Sequence, residues 1–262
     1  MTHEFQPRKV NAGTVNQINR NGYQLRLENS PEKNYSLAQI DDYMHLPRHK
    51  FPHTSPVKLT LEAKLSYKYT SGTWGFGLWN DPFGIGFGAG GVSRLLPVLP
   101  NAAWFFFGSK ENFLSLRDDQ PAWGFHVKTY RSPLLPSFTS LFALPLIPLF
   151  FWRLTGRLIR KLGRLFVKED GEKLDVDVEV WHKYCLNLKA SWASFLVDDA
   201  LLFKTSTVPR GRLGIVIWID NQYFCFDKSG KLDYGYLDVS DQQWMEIRNL
   251  LVQKESLDVK EN

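Results

Sequence analysis

Cysteine is almost absent from the 262 residues: Cys185 and Cys225 are the only two. The sequence offers neither of them disulfide or metal partners, so two buried free thiols are expected, with no metal and no cofactor. The start, MTHEFQPRKVNAG, lacks an apolar stretch after its charges, so no secretory signal is expected and a cytoplasmic location follows. A long unbroken apolar run is missing as well. Ser132–Trp152 carries no charge and has the length of a membrane span, yet Pro133, Pro136, Pro145 and Pro148 interrupt it. Gly86-Phe-Gly88-Ala-Gly90-Gly91 matches G-x-G-x-x-G, but no βαβ pattern surrounds it, which removes a dinucleotide reading. That stretch, Phe83–Pro100, reads as a long glycine-rich loop. Finally, Phe151–Lys168 has no acidic residue among six basic ones, so the chain's net charge of +5 belongs to this one segment. A generally basic, nucleic-acid-binding body is thereby excluded.

Aromatic residues, in contrast, are abundant at 15%, within an apolar share of 44% that is enough for a full core. Val57–Tyr67 alternates strictly, with Val57, Leu59, Leu61, Ala63, Leu65 and Tyr67 on one face and charged or hydroxyl residues on the other. That is the pattern of a half-buried strand. Further strands are predicted at 24–28, 73–81, 102–108, 123–131, 175–180, 184–189, 194–204 and 213–221. Turn signals divide them, among them Asn-Gly at 21–22, Asp-Pro at 81–82 and Asp-Gly at 170–171. Many short strands predict an all-β, two-sheet antiparallel sandwich forming one domain over residues 1–262. Two helices are expected. One follows the apolar insertion; the other is C-terminal, where Ser240 and Gln243 resemble a capping box ahead of Trp244, Ile247 and Leu251.

Trp181-His182-Lys183-Tyr184, Phe195-Leu196-Val197-Asp198 and the strand after Pro209 resemble the second half of the concanavalin A-like lectin/glucanase superfamily, especially its family-16 glycoside hydrolases. Gly72-Thr-Trp-Gly-Phe-Gly-Leu-Trp79 is similar to that family's tryptophan-rich strand. The resemblance implies a jelly roll with a ligand cleft on one sheet. It also implies an E-x-D-x-x-E strand, since retaining cleavage needs two carboxylates on one face. The corresponding strand here is Ala102-Ala-Trp-Phe-Phe-Phe-Gly108, with Glu111 beyond it, and Asp199 replaces the turn glycine. Family-16 hydrolysis is therefore not expected.

Strand parity suggests where a cleft would lie. Trp79 and Asp81, then His126, Lys128 and Tyr130, then Trp218 and Asp220 fall on the faces opposite the aliphatic sets of their strands. They are the candidate ligand-binding residues, and His126 with Asp220 is a candidate acid/base pair if their strands are neighbours. In the insertion, 132–168, the leucines of 154–166 lie on one helical arc. Arg153, Arg157, Arg160, Lys161 and Arg164 lie on another. An amphipathic basic helix of this kind suits a peripheral contact with an anionic membrane; the bland alternative is a helix packed on the sandwich with its arginines in water. The sequence as a whole points to a lectin-like protein binding a carbohydrate or glycolipid, at a membrane surface. The alternatives are a divergent glycosidase or other enzyme taking an apolar small molecule, and a structural or interaction module.

Overall fold

The computed structural model describes residues 5–82, 96–136, 138 and 152–254. Within them lie sixteen strands and one α-helix. The strands are β1 Gln6–Val10, β2 Gly13–Asn19, β3 Gly22–Leu27, β4 Leu37–Asp41, β5 Val57–Leu65, β6 Thr73–Trp79, β7 Ala102–Gly108 and β8 Gly124–Arg131. After helix α1, Arg153–Phe166, come β9 Lys168–Lys173, β10 His182–Leu188, β11 Ala193–Val197, β12 Ala200–Thr205, β13 Gly214–Asp220, β14 Gln222–Phe226, β15 Leu232–Tyr236 and β16 Gln243–Lys254. They form two seven-stranded antiparallel sheets, in the orders β1-β4-β13-β6-β7-β8-β9 and β12-β11-β10-β5-β16-β3-β2, with β14–β15 as a separate hairpin. The expected two-sheet sandwich is the observed one.

The period-2 patterns explain the packing. On β5, Val57, Leu59, Leu61, Ala63 and Leu65 are buried while the residues between them are half-exposed. They face Trp74, Phe76 and Leu78 of β6, Ala103, Phe105 and Phe107 of β7, and Ile215, Ile217 and Ile219 of β13 in one inter-sheet core. Phe105 bridges the sheets, with ring centroids 5.1 Å from Tyr184 and 5.3 Å from Phe195.

Three expectations are corrected. The C-terminal helix is instead β16, which pairs with both β3 and β5. Gln243, Met245 and Ile247 point inward; then a bulge at Asn249, whose φ is 54°, shifts the parity so that Leu250 is buried next. Two period-2 runs offset by one residue imitate helical spacing. Residues 175–180 are loop, and the strand there is β9, running through the Asp-Gly dipeptide at 170–171 that reads as a turn. The predicted strand 194–204 is a hairpin, since Asp198 and Asp199 both adopt positive φ, 50° and 65°, between β11 and β12. Asp tolerates that region better than most residues, so Asp199 can stand where the resemblance expects glycine. Most of the predicted loop 83–100 and of the apolar run 132–152 lies outside the described residues.

Candidate functional site

The face of the first sheet that points away from the inter-sheet core gathers the predicted ligand-binding residues. Register places His126, Phe106, Gly75, Trp218 and Gln39 in one cross-strand row, and Lys128, Trp104, Gly77, Val216 and Asp41 in the next. Tyr130 lies opposite Ala102 and Glu169, while Trp79 pairs with Ala102 and Gly214. Asp81 lies past the end of β6 with φ 47°, its carbonyl held by the Arg48 guanidinium. The glycines of β6 make this arrangement possible. A Cβ on Gly75 would fall 2.7 Å from the Trp218 ring, and one on Gly77 would fall 2.6 Å from Trp104 Cβ.

This face is not an open groove. Trp218, Trp104, Phe106 and Tyr130 belong to a second hydrophobic cluster with Leu37, Tyr35, Tyr43, Phe51 and Val167. Trp79 and Trp218 stack at 6.4 Å with ring planes 6° apart, and Trp104 lies 5.9 Å from Trp218. The segment from Ser109 to Pro121 lies over the sheet as a roof. Tyr130 Oη donates to Leu114 O (3.1 Å), and Lys128 Nζ donates to Pro121 O (2.8 Å). His126, Lys128, Trp218 and Asp220 are all buried.

Burial sets the electrostatics. Desolvation, with the nearby Lys128 charge adding to it, pushes His126 down to about 3, and its Nδ1 lies 2.8 Å from Gly124 O. Desolvation lowers Lys128 to about 8, opposed by Glu169, whose Oε2 is 3.6 Å from Nζ. Asp220 is raised to about 7 by desolvation, although Thr73 Oγ1 donates to it at 2.7 Å and Tyr35 Oη at 3.4 Å. Trp218 Nε1 completes the chain by donating to Thr73 Oγ1 at 2.9 Å. His126 and Asp220 do not meet: β7 and β6 separate their strands, and three strand spacings amount to about 14 Å. The proposed acid/base pair therefore lacks its geometric condition.

Sequence reasoning missed Glu169 and Asp41 on this face. Glu169 sits in Lys-Glu-Asp-Gly-Glu-Lys, a strand with the composition of a surface turn. It is nonetheless buried, accepting from Ser115 Oγ (2.7 Å) and from the backbone amides of Leu116 and Arg117. Asp41 closes a local loop, accepting from Met44 N and Gln39 Nε2, each at 2.8 Å.

Helix α1 is the second candidate, and its orientation reverses the bland alternative. Its arginine side faces the protein. Arg160 is buried and donates to Ser115 O (2.7 Å), Leu116 O (3.0 Å), Phe226 O and Asp118 Oδ1 (2.8 Å). Arg164 bonds Leu116 O and Asp118, Arg157 bonds Ser229 O, and Gly156 lets the helix backbone close on Gly230. Of the residues expected to contact a membrane, Arg160 and Arg164 are thus held on roof carbonyls and Arg157 on the carbonyl of Ser229 in the β14–β15 hairpin; Arg160 alone is buried, and Arg153, Arg157, Lys161 and Arg164 are exposed. The opposite side of the helix presents Leu154 (79% exposed), Leu158, Leu162, Leu165 (73%) and Phe166 to solvent. Trp152, Leu134, Leu135 and Phe138 are exposed too. No helix among the described residues is long and apolar enough to cross a membrane.

No known family matches the chain by sequence, and no curated protein does either. Among solved structures, a family-16 endo-glucanase from Bacteroides ovatus aligns over 94% of this chain and 93% of its own at TM-score 0.50 and 11% identity. The Bacillus licheniformis β-glucanase aligns over 98% and 94%, at TM-score 0.45 and 12% identity. A botulinum neurotoxin type C structure, described for its interaction with two ganglioside molecules, aligns over 98% of this chain and 44% of its own, at TM-score 0.44 and 8% identity. At such identities the likeness is one of fold: the chain has the concanavalin A-like sandwich of the family-16 hydrolases.

Proposed function

We propose that this protein is a binding module of lectin fold that works at a membrane surface, seated by the outward leucine face of α1 together with the exposed Trp152. One observation carries the reading. A helix on a globular protein ordinarily turns its apolar stripe inward, and here the stripe faces water while the buried Arg160 and Gly156 mark the docked side. Each Leu or Phe left exposed forgoes about 1.5–3 kcal/mol of burial, so a stripe of this kind calls for an apolar counterpart. An interfacial helix lies with such a face in the acyl boundary, where Trp152 also fits. Arg153 and Lys161 add about 1 kcal/mol each near an anionic leaflet, so apolar contact dominates and salt dependence is modest. Glycan or glycolipid recognition by Trp79, His126, Lys128, Tyr130, Trp218 and Asp220 would require the roof to lift, so it is the lesser part of this proposal.

Vesicle co-sedimentation tests it. Wild-type protein should pellet with phosphatidylserine-containing vesicles, and a Leu154→Ser/Leu158→Ser/Leu165→Ser variant should stay in the supernatant with an unchanged circular dichroism spectrum. If the wild type ignores the vesicles, or runs as a dimer that the same variant splits, the leucine face serves a protein partner and the membrane reading is wrong.

A further inference from the structure

A cavity of about 350 Å³ opens beside the exposed Leu134, where β8 ends and the loop before β13 passes. Arg131, Arg210, Ser55 and Leu134 line it, and no carboxylate does. Its size falls within the range of small-ligand sites.

Two features set it apart from a chance meeting of surface arginines. First, neither Arg131 nor Arg210 has a side-chain hydrogen bond or ion pair among the described residues, whereas Arg48, Arg160, Arg164 and Arg212 are each tied to backbone carbonyls. Second, one buried side chain fixes the two segments that carry them. Asn101 Oδ1 accepts from Arg210 N (2.8 Å) and Ser132 N (3.2 Å), while its Nδ2 donates to Ser132 Oγ at 2.9 Å. The backbone at Arg210 and that next to Arg131 are therefore tied to one buried side chain, and both residues line the same cavity. On the rim, Leu134 packs on Gly211, 3.0 Å from where a Cβ would stand, yet remains 61% exposed.

We propose that Arg131 and Arg210 form a binding site for a phosphomonoester. A carboxylate is satisfied by a single guanidinium fork. A phosphomonoester carries close to two charges and three acceptor oxygens, which two forks together can match. Ser55 lines the same cavity with a hydroxyl able to donate. The phosphate can come from a lipid headgroup, whose chains would lie along Leu134, Leu135 and Phe138, or from a free phosphorylated solute. The inference rests on the membrane reading only for the first source.

The test uses full-length protein and two probes. Phosphatidylinositol-phosphate vesicles are compared with phosphatidylserine vesicles of equal surface charge, and a soluble inositol phosphate is titrated in a thermal-shift assay. Wild type should prefer the phosphoinositide vesicles and should be stabilised by the soluble probe. Arg131→Gln and Arg210→Gln should each weaken both responses about 10-fold or more, the loss expected for one charge-assisted contact. The leucine-face variant should keep the response to the soluble probe. If that response is present and arginine-dependent while wild type binds no vesicles, the site takes a free phosphate and only the membrane reading falls. If wild type does not distinguish the two vesicles and ignores the soluble probe, or if the arginine variants match wild type, the proposal is overturned.

Discussion

The two faces of the first sheet are both buried, but in different company. The inner face meets another sheet, and its partners are mostly aliphatic and aromatic side chains. The outer face meets a roof of irregular chain, and among its tryptophans sit Lys128, Glu169, His126 and Asp220. A sheet-on-sheet core has all its backbone groups paired within the ladders, so apolar side chains suffice. A roof without ladder bonds exposes carbonyls and amides that must find side-chain partners. Glu169 supplies acceptors for roof amides, and Lys128 and Arg160 supply donors for roof carbonyls. Two of the polar residues that resemble a ligand site in the sequence, Lys128 and Tyr130, are in this structure fastenings of the roof, while His126 bonds its own strand and Asp220 bonds Thr73 and Tyr35.

That contrast can be broken first at the inner face. Phe105→Ala, which removes contacts to Tyr184 and Phe195, should cost about 3–5 kcal/mol, read as a lower denaturation midpoint with unchanged slope. Arg160→Ala should cost less, about 2–4 kcal/mol for the carbonyls of Ser115, Leu116 and Phe226 left without a donor. It should also separate the two cores: tryptophan fluorescence should red-shift at lower urea than the loss of the β-sheet signal. Coincident transitions would mean that roof and sandwich unfold as one unit.

The buried titratable groups of the outer face sharpen the comparison through pH. Asp220, raised to about 7, binds its proton more tightly when folded, so its contribution favours the fold at low pH and is lost as pH rises from about 4 to 7. His126, lowered to about 3, does the reverse, costing stability as pH falls from about 6.5 toward 3. Between roughly pH 4 and 6.5 the two slopes, each about 1.4 kcal/mol per pH unit, oppose one another. Relative to wild type, Asp220→Asn should make stability climb with pH across that window, and His126→Gln should make it fall. Parallel profiles for both variants would show that these groups are not desolvated in the folded protein. The smallest effect belongs to α1: Leu158→Ser should shift stability by no more than about 0.5 kcal/mol, as for a solvent-exposed position. A larger loss would mean that the leucine face is packed within the molecule.

What could be read in the sequence follows the same division. The sandwich was legible because β5 alternates cleanly and β6, β8 and β13 keep their aliphatic or bulky sets on one parity, and the parity that places Trp79, His126, Lys128, Tyr130, Trp218 and Asp220 on one face is a local property. Whether that face is wet is not local. It depends on Ser115 finding Glu169, 54 positions away, and on Arg160 finding Ser115, 45 positions away. Likewise the helical wheel separates leucines from arginines on α1 but cannot say which side docks, because the answer lies in carbonyls of a loop elsewhere in the chain. β9 and β16 were misread for a related reason: one is a charged strand, and the other carries a bulge.

The position of β16 has a consequence for how the chain assembles during synthesis. It is threaded between β3 and β5, so seven strands cannot close into one sheet until residues 243–254 have left the ribosome. Until then β3 and β5 each present an unpaired edge, the latter nine residues long and apolar on one side. Such edges invite pairing between nascent chains on neighbouring ribosomes. A chain cut before Gln243 should accordingly accumulate as aggregate, whereas supplying residues 243–254 as a separate peptide during refolding should restore soluble protein by filling the vacant slot.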